Sequence, residues 1–117
     1  MLKSKQITPL EVYAYYFYKT CEVDLATNAV MDYCPESFDL IVKYEDDDSL
    51  VSEKPLAGIA ISVKEVFAMV GHCVTYGYLN AAKADRKCQK NHVVIDLLIE
   101  LGAVIFVRSS VPETCAT

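Results

Sequence analysis

A lysine closes the most apolar extended run of this 117-residue chain, Pro55-Leu56-Ala57-Gly58-Ile59-Ala60-Ile61-Ser62-Val63-Lys64-Glu65. An ammonium group taken out of water either finds a partner or gives up its proton, and a lysine without its proton is a base. Arginine cannot do this near neutral pH. The plain alternative is that Lys64 is the first solvent-facing residue past a strand, the usual setting for lysine. A base also needs a group to deprotonate. The serines available are Ser4, Ser37, Ser49, Ser52, Ser62, Ser109 and Ser110, and none stands in a Gly-x-Ser-x-Gly elbow or a glycine-rich turn. Gly58, Gly71, Gly77 and Gly102 are too scattered to build such a turn. Ser62 lies two residues before Lys64 and so shares its face of a strand, where it reads as a strand hydroxyl.

Other chemistries find less support. Cys21, Cys34, Cys73, Cys88 and Cys115 form no Cys-x-x-Cys pair and are odd in number, which favours free thiols over a disulfide framework. His72-Cys73 and Cys88 with His92 offer zinc-type ligands without a second pair at finger-like spacing, so no metal or cofactor is expected. His72 reads as a loop residue and His92 as a surface or half-buried position early in a helix. The acidic run Glu45-Asp46-Asp47-Asp48 lacks the glycine and terminal glutamate of a hand-type calcium loop and reads as a solvated loop. A net charge of −5 with no clustered Lys/Arg argues against a nucleic-acid partner. The start Met1-Leu2-Lys3-Ser4-Lys5-Gln6 is polar, without the apolar core of a signal peptide, and no run reaches the length of a spanning helix. These features together suggest an intracellular location.

The elements that must position Lys64 follow from periodicity. Thr8-Pro9-Leu10-Glu11 is a capping box with proline at the first helical position. The helix it opens repeats Leu10, Tyr13, Ala14, Phe17 and Cys21 on one face, for core packing or an interface. A break near Asn28 precedes a short extended piece through Tyr33. Pro35 then opens a second helix to about Tyr44, and Asp46 to Pro55 reads as a polar connection. A strand over Ile59–Val63, a long loop through Gly71 and Gly77, a helix over Asn91–Leu101 stopped by Gly102, and a strand over Val104–Val107 complete the chain. Strand, helix, strand implies a parallel crossover, and strands apolar on nearly every residue imply helices on both faces of the sheet. The class is α/β, with a helical region over 8–45 and a sheet-containing region over 55–117.

The second half resembles the amidase signature family of serine hydrolases, in particular its fatty-acid amide hydrolase-like branch. Four blocks carry the resemblance: Pro55 to Glu65, similar to a "G-I/V-P-x-x-x-K-D/E" segment; Gly71-His72-Cys73-Val74-Thr75-Tyr76-Gly77; Asn91 to Val104; and Arg108-Ser109-Ser110-Val111-Pro112-Glu113, similar to "K/H-T/S-N-x-P-E". Upstream, Asn28-Ala29-Val30 resembles an "N-A" element after the first helix. Ala60 stands where the family usually has proline and Ser110 where it often has asparagine.

The resemblance implies a Ser-cisSer-Lys triad with Lys64 as general base, relaying a proton from the nucleophile through the bridging serine so that the alkoxide attacks an amide or ester carbonyl. It implies a small-molecule amide, possibly a fatty-acid amide, as substrate, and membrane association by analogy alone. The glycine-serine loop that carries the bridging serine in this family has no counterpart in these 117 residues, nor does the nucleophile. The chain therefore reads as an incomplete N-terminal portion of an amidase domain, a partial form of the family fold, inactive alone. An accessory subunit derived from an amidase and one half of a split enzyme are the alternatives. With only about three strands and three helices, the isolated chain is expected to expose strand edges and apolar faces and to aggregate. Lys64 is expected to be at least partly solvated.

Overall fold

The computed structural model describes residues 1–2, 4 and 6–116. Lys3 and Lys5, part of the polar start noted above, lie outside the described residues, as does Thr117.

The capping box forms as its spacing predicts. The Thr8 hydroxyl accepts from the Glu11 N–H at 3.2 Å, and the Glu11 carboxylate accepts from the Thr8 N–H at 2.8 Å. With Pro9 at the first turn these open α1, Pro9–Thr27. It ends at Asn28, whose φ of 51° is left-handed and whose N–H returns to the Asp24 carbonyl. Of the five apolar positions repeated along α1, only Tyr13 is buried.

Past Asn28 the chain forms β1, Val30–Tyr33, and α2, Glu36–Asp46. The acidic run after it is not the loop its composition suggested. Glu45 and Asp46 finish α2, Asp47 caps a further helix by accepting from the Ser49 N–H at 2.9 Å, and α3 covers Asp48–Glu53. The run is solvent-exposed, but the "polar connection" hides Val51, which packs into the core. A single buried valine among polar neighbours gives too weak a period to reveal a helix of six residues.

β2 covers Ala60–Lys64, β3 covers Val104–Ser109, and between them lie α4, Leu79–Lys83, and α5, Val93–Glu100. The short α4 falls inside what the sequence suggests is a continuous loop. α5 starts two residues later than expected because Asn91 and His92 act as its lead-in. Asn91 Oδ1 accepts from the Val70 N–H at 2.7 Å, and His92 Nδ1 caps the helix by accepting from Val94 N–H.

The sheet order is β1-β3-β2, with β2 parallel to β3 and β1 antiparallel to it. The parallel pair is the expected one, and β1 makes the sheet mixed. β3 is central and its first five residues are all buried, as for a strand covered on both faces. One face carries Tyr13, Ile41, Tyr44, Val51, Val104, Phe106 and Val107, drawn from α1, α2, α3 and β3. The other carries Cys34, Val63, Met69, Ile95 and Ile105 beneath α5. A bulge between Ile61 and Ser62 lets Phe106 and Val107 both face the first cluster. β2 is an edge strand in which only Val63 is buried. Large apolar side chains stay exposed on α1 and α5, among them Tyr15, Tyr18, Leu25, Val93 and Leu97, as expected of too few elements to cover the sheet.

Candidate functional site

Lys64 is the last residue of β2, at the carboxyl end of a strand paired in parallel with its neighbour. In open α/β sheets that end is where ligands bind. Strand alternation turns Ser62 and Lys64 to one face and Val63 into the core on the other. The register sets Lys64 opposite Ser109 and Ser62 opposite Val107. Ser62, Ser109, Val30, Thr20 and Asp24 line a cleft of about 270 Å³ between the sheet and the second half of α1. Lys64 and Ser62 are both exposed, and among the described residues no hydrogen bond joins them. Ser62 thus remains a strand hydroxyl here, and Lys64 is solvated as expected.

What fixes Lys64 is its neighbour. Glu65 is fully buried, and its N–H continues the ladder to the Ser109 carbonyl at 3.0 Å. Its Oε1 accepts from the Thr75 N–H, tying the Gly71–Gly77 loop to the end of β2, and its Oε2 has no partner among the described residues. Arg108, 1% exposed, donates from Nη2 to the Glu65 carbonyl at 2.7 Å and from Nη1 to Asp32 at 3.3 Å. The Lys64 carbonyl accepts from the Phe67 N–H at 3.1 Å, turning the chain out of the strand. A buried arginine and a buried glutamate therefore hold the backbone from which Lys64 projects.

The same arginine leads to a cluster on the opposite face of the sheet. His72 is in a loop, as its sequence context suggests, but it is buried. Nδ1 lies 2.5 Å from Asp32 and Nε2 lies 2.7 Å from Glu36. Neutral imidazole has one N–H, so donating to both carboxylates takes the doubly protonated ring. Cys34, 1% exposed, sits beside this group, and burial, reinforced by the Glu36 and Asp32 charges against Arg108, pushes its thiol up to about 12. Burial, with help from Asp85, also raises Cys73. All five cysteines are free.

The four sequence blocks meet in space. Gly77 packs directly on the backbone of Pro112 and Glu113, the Glu65 carboxylate accepts from the Thr75 N–H, and the Leu101 carbonyl accepts from the Leu56 N–H at 2.9 Å. The ties among Asp32, Glu36, Glu65, His72 and Arg108 were not foreseen. Their members come from four separate stretches, and the one local sign is a charged residue placed inside an otherwise apolar strand run, Val104 to Val107 followed by Arg108.

Comparison with known proteins agrees with this arrangement. The amidase family profile matches residues 11–117. Pig fatty-acid amide hydrolase 1 is 29% identical over 117 residues, which is 97% of this chain and 18% of that protein. Amidase 2 of Gibberella moniliformis is 26% identical over 119 residues, 97% of this chain and 22% of that protein. The chain thus spans about a fifth of the length of these relatives. Among solved structures, fatty acid amide hydrolase superposes with a TM-score of 0.81 at 23% identity over 95% of this chain and 20% of its own. The peptide amidase PAM, in complex with chymostatin, gives 0.83 at 15% identity over 96% of this chain and 23% of its own. Those two likenesses establish the fold. With the profile covering nearly the whole chain, this protein belongs to the amidase family.

Proposed function

We propose that this chain supplies the general-base lysine, Lys64, of an amidase signature hydrolase that cleaves amide or ester bonds, with both catalytic serines contributed from outside these 117 residues. The observation that carries the reading is the position of Lys64. It leaves the carboxyl end of a parallel strand, on an open face, from a backbone clamped by Glu65 and Arg108. A base needs that rigid placement, since proton transfer requires hydrogen-bond reach of its partner. Covering of the exposed Lys64 by further protein would desolvate the amine and favour its neutral, basic form. In the proposed cycle a bridging serine gives its proton to Lys64 while taking one from the nucleophile. The acyl-enzyme forms as the amine leaves with the returned proton, and water then completes the hydrolysis. The fatty-acid amide branch is the finer assignment, supported by the resemblance of Lys64-Glu65 and Gly71-His72 and by the likeness to the pig enzyme.

The test is labelling of the active assembly by a fluorophosphonate probe, which reports an activated serine. Labelling is expected in the unmodified protein and lost in Lys64→Ala and in Lys64→Arg, which keeps the charge but cannot act as a base. Undiminished labelling of Lys64→Arg would remove Lys64 from the mechanism.

A further inference from the structure

We propose that Cys34, Glu36 and His72 form a binding site for a zinc-class divalent cation, with Asp32 orienting the histidine. One ligand atom from each of the three residues lies within 4.8 Å of the other two. Cys34 and Glu36 flank the β1–α2 junction, and His72 arrives from the loop after β2.

The arrangement around the histidine is that of a metal ligand. A metal-bound imidazole gives its remote N–H to a carboxylate, which fixes the ring and raises its basicity. Asp32 stands 2.5 Å from His72 Nδ1 and is itself pinned by the buried Arg108 at 3.3 Å. Nε2 is then the nitrogen left for a cation, which would take the place of its present 2.7 Å contact with Glu36. Cys34 is held from both sides of its backbone: its N–H donates to the Phe106 carbonyl at 2.9 Å, and its carbonyl accepts from the Ser37 N–H and hydroxyl.

Charge and size agree. One thiolate and one carboxylate neutralise a divalent cation, which suits a site that is buried on the cysteine and histidine side. Sulfur, nitrogen and oxygen together suit zinc or cobalt, whereas magnesium and calcium take oxygen alone. Bond lengths of about 2.0–2.3 Å in a tetrahedron place ligand atoms roughly 3.3–3.6 Å apart. The Nε2 to Glu36 contact of 2.7 Å must then open by about 0.6 Å, which the half-exposed Glu36 side chain permits. A cation held by these three would have the half-exposed side of Glu36 open to a water as its fourth ligand. The site lies on the sheet face away from Lys64, so its role is to pin the β1–α2 junction to the loop that Glu65 also holds.

Cobalt(II) titration of chelator-treated protein tests this directly. The expected result is one equivalent of Co2+ bound with intense visible bands of tetrahedral cobalt and a near-ultraviolet sulfur-to-cobalt band, displaced by Zn2+, together with a higher thermal midpoint in Zn2+. Cys34→Ser should abolish the sulfur band, and Asp32→Asn should keep it while weakening Co2+ binding about 10–100-fold. Glu36→Gln, at a half-exposed position, keeps the fold and should also weaken binding and alter the visible bands. Absence of the sulfur band from the unmodified protein, or its survival in Cys34→Ser, overturns the proposal: the first leaves an ionic clasp alone, the second assigns cobalt to another thiol.

Discussion

Replacing Gly77 by alanine should unfasten two of the family blocks from each other, and Gly71 supplies its own control. Both glycines have positive φ, +78° and +83°. A Cβ at either one costs about 1–2 kcal/mol of backbone strain. Their surroundings differ. A Cβ on Gly71 meets nothing within 4 Å, whereas on Gly77 it would sit 2.6 Å from the Glu113 nitrogen and 2.7 Å from the Pro112 carbonyl carbon. These are backbone atoms, so no rotamer can yield. Restoring ordinary contact at 3.4 Å takes a displacement of about 0.8 Å in the 112–113 turn, measured against the 2.6 Å approach. That movement also pulls the Thr114 N–H off the Tyr76 carbonyl, a bond of about 1 kcal/mol net. Gly77→Ala should therefore lose roughly 3 kcal/mol against about 1–2 for Gly71→Ala. Pulse proteolysis across a urea series, with both variants and the unmodified protein side by side, reads the folded fraction without a long-lived unfolded pool. Equal midpoints for the two variants would refute the packing argument and leave backbone strain as the whole effect.

Lys64→Ala, at an exposed position, should leave the urea midpoint within about 0.5 kcal/mol of the unmodified protein, so that any loss of probe labelling is chemical in origin. Ile41→Ala and Ile95→Ala, each removing a fully buried side chain from a different face of the sheet, should each cost about 2–5 kcal/mol in the same assay, and a smaller loss at either would mean that face is loosely packed. Alkaline pH should destabilise the metal-free protein. Folding raises Cys34 from 9.0, chiefly by burial, and Tyr33 from 10.0, by burial and then by Cys21 and Asp24, both to about 12. The unfolded chain loses these protons first, so the stabilisation is complete below about pH 9 and is lost as pH rises toward 12. Thermal midpoints between pH 8 and 12 and mass-mapped alkylation, with exposed Cys115 reacting well before Cys34, check both the sign and the assignment.

The sequence by itself determined the α/β class, the helix that Thr8 and Pro9 open, the parallel pair around Lys64, and the family blocks. Each of these is written in local spacing: a cap and a box span four residues, a buried strand is a run of apolar residues, and a glycine marks a stop. Where local signals are short or contradictory, the reading failed. α3 and α4 are too brief for a helical period to register, and the acidic run that reads as loop is in fact the end of one helix and the cap of the next. The stripe along α1 left core packing and an interface both open, and of its residues only Tyr13 is buried. Leu10, Phe17 and Cys21 instead line an open groove of about 580 Å³ with Pro35 and Phe38, because periodicity shows which residues share a face but not what lies opposite.

Tertiary structure alone decided the electrostatics beneath the sheet. Arg108 reaches Asp32 across 76 residues and Glu65 across 43, and His72 meets Asp32 across 40. No window of sequence contains both members of such a pair, and a charged residue in isolation reads as surface, where it is free of desolvation cost. Only when β3 is placed between β1 and β2 do these groups become one another's partners, and only then is the backbone from which Lys64 projects held in place.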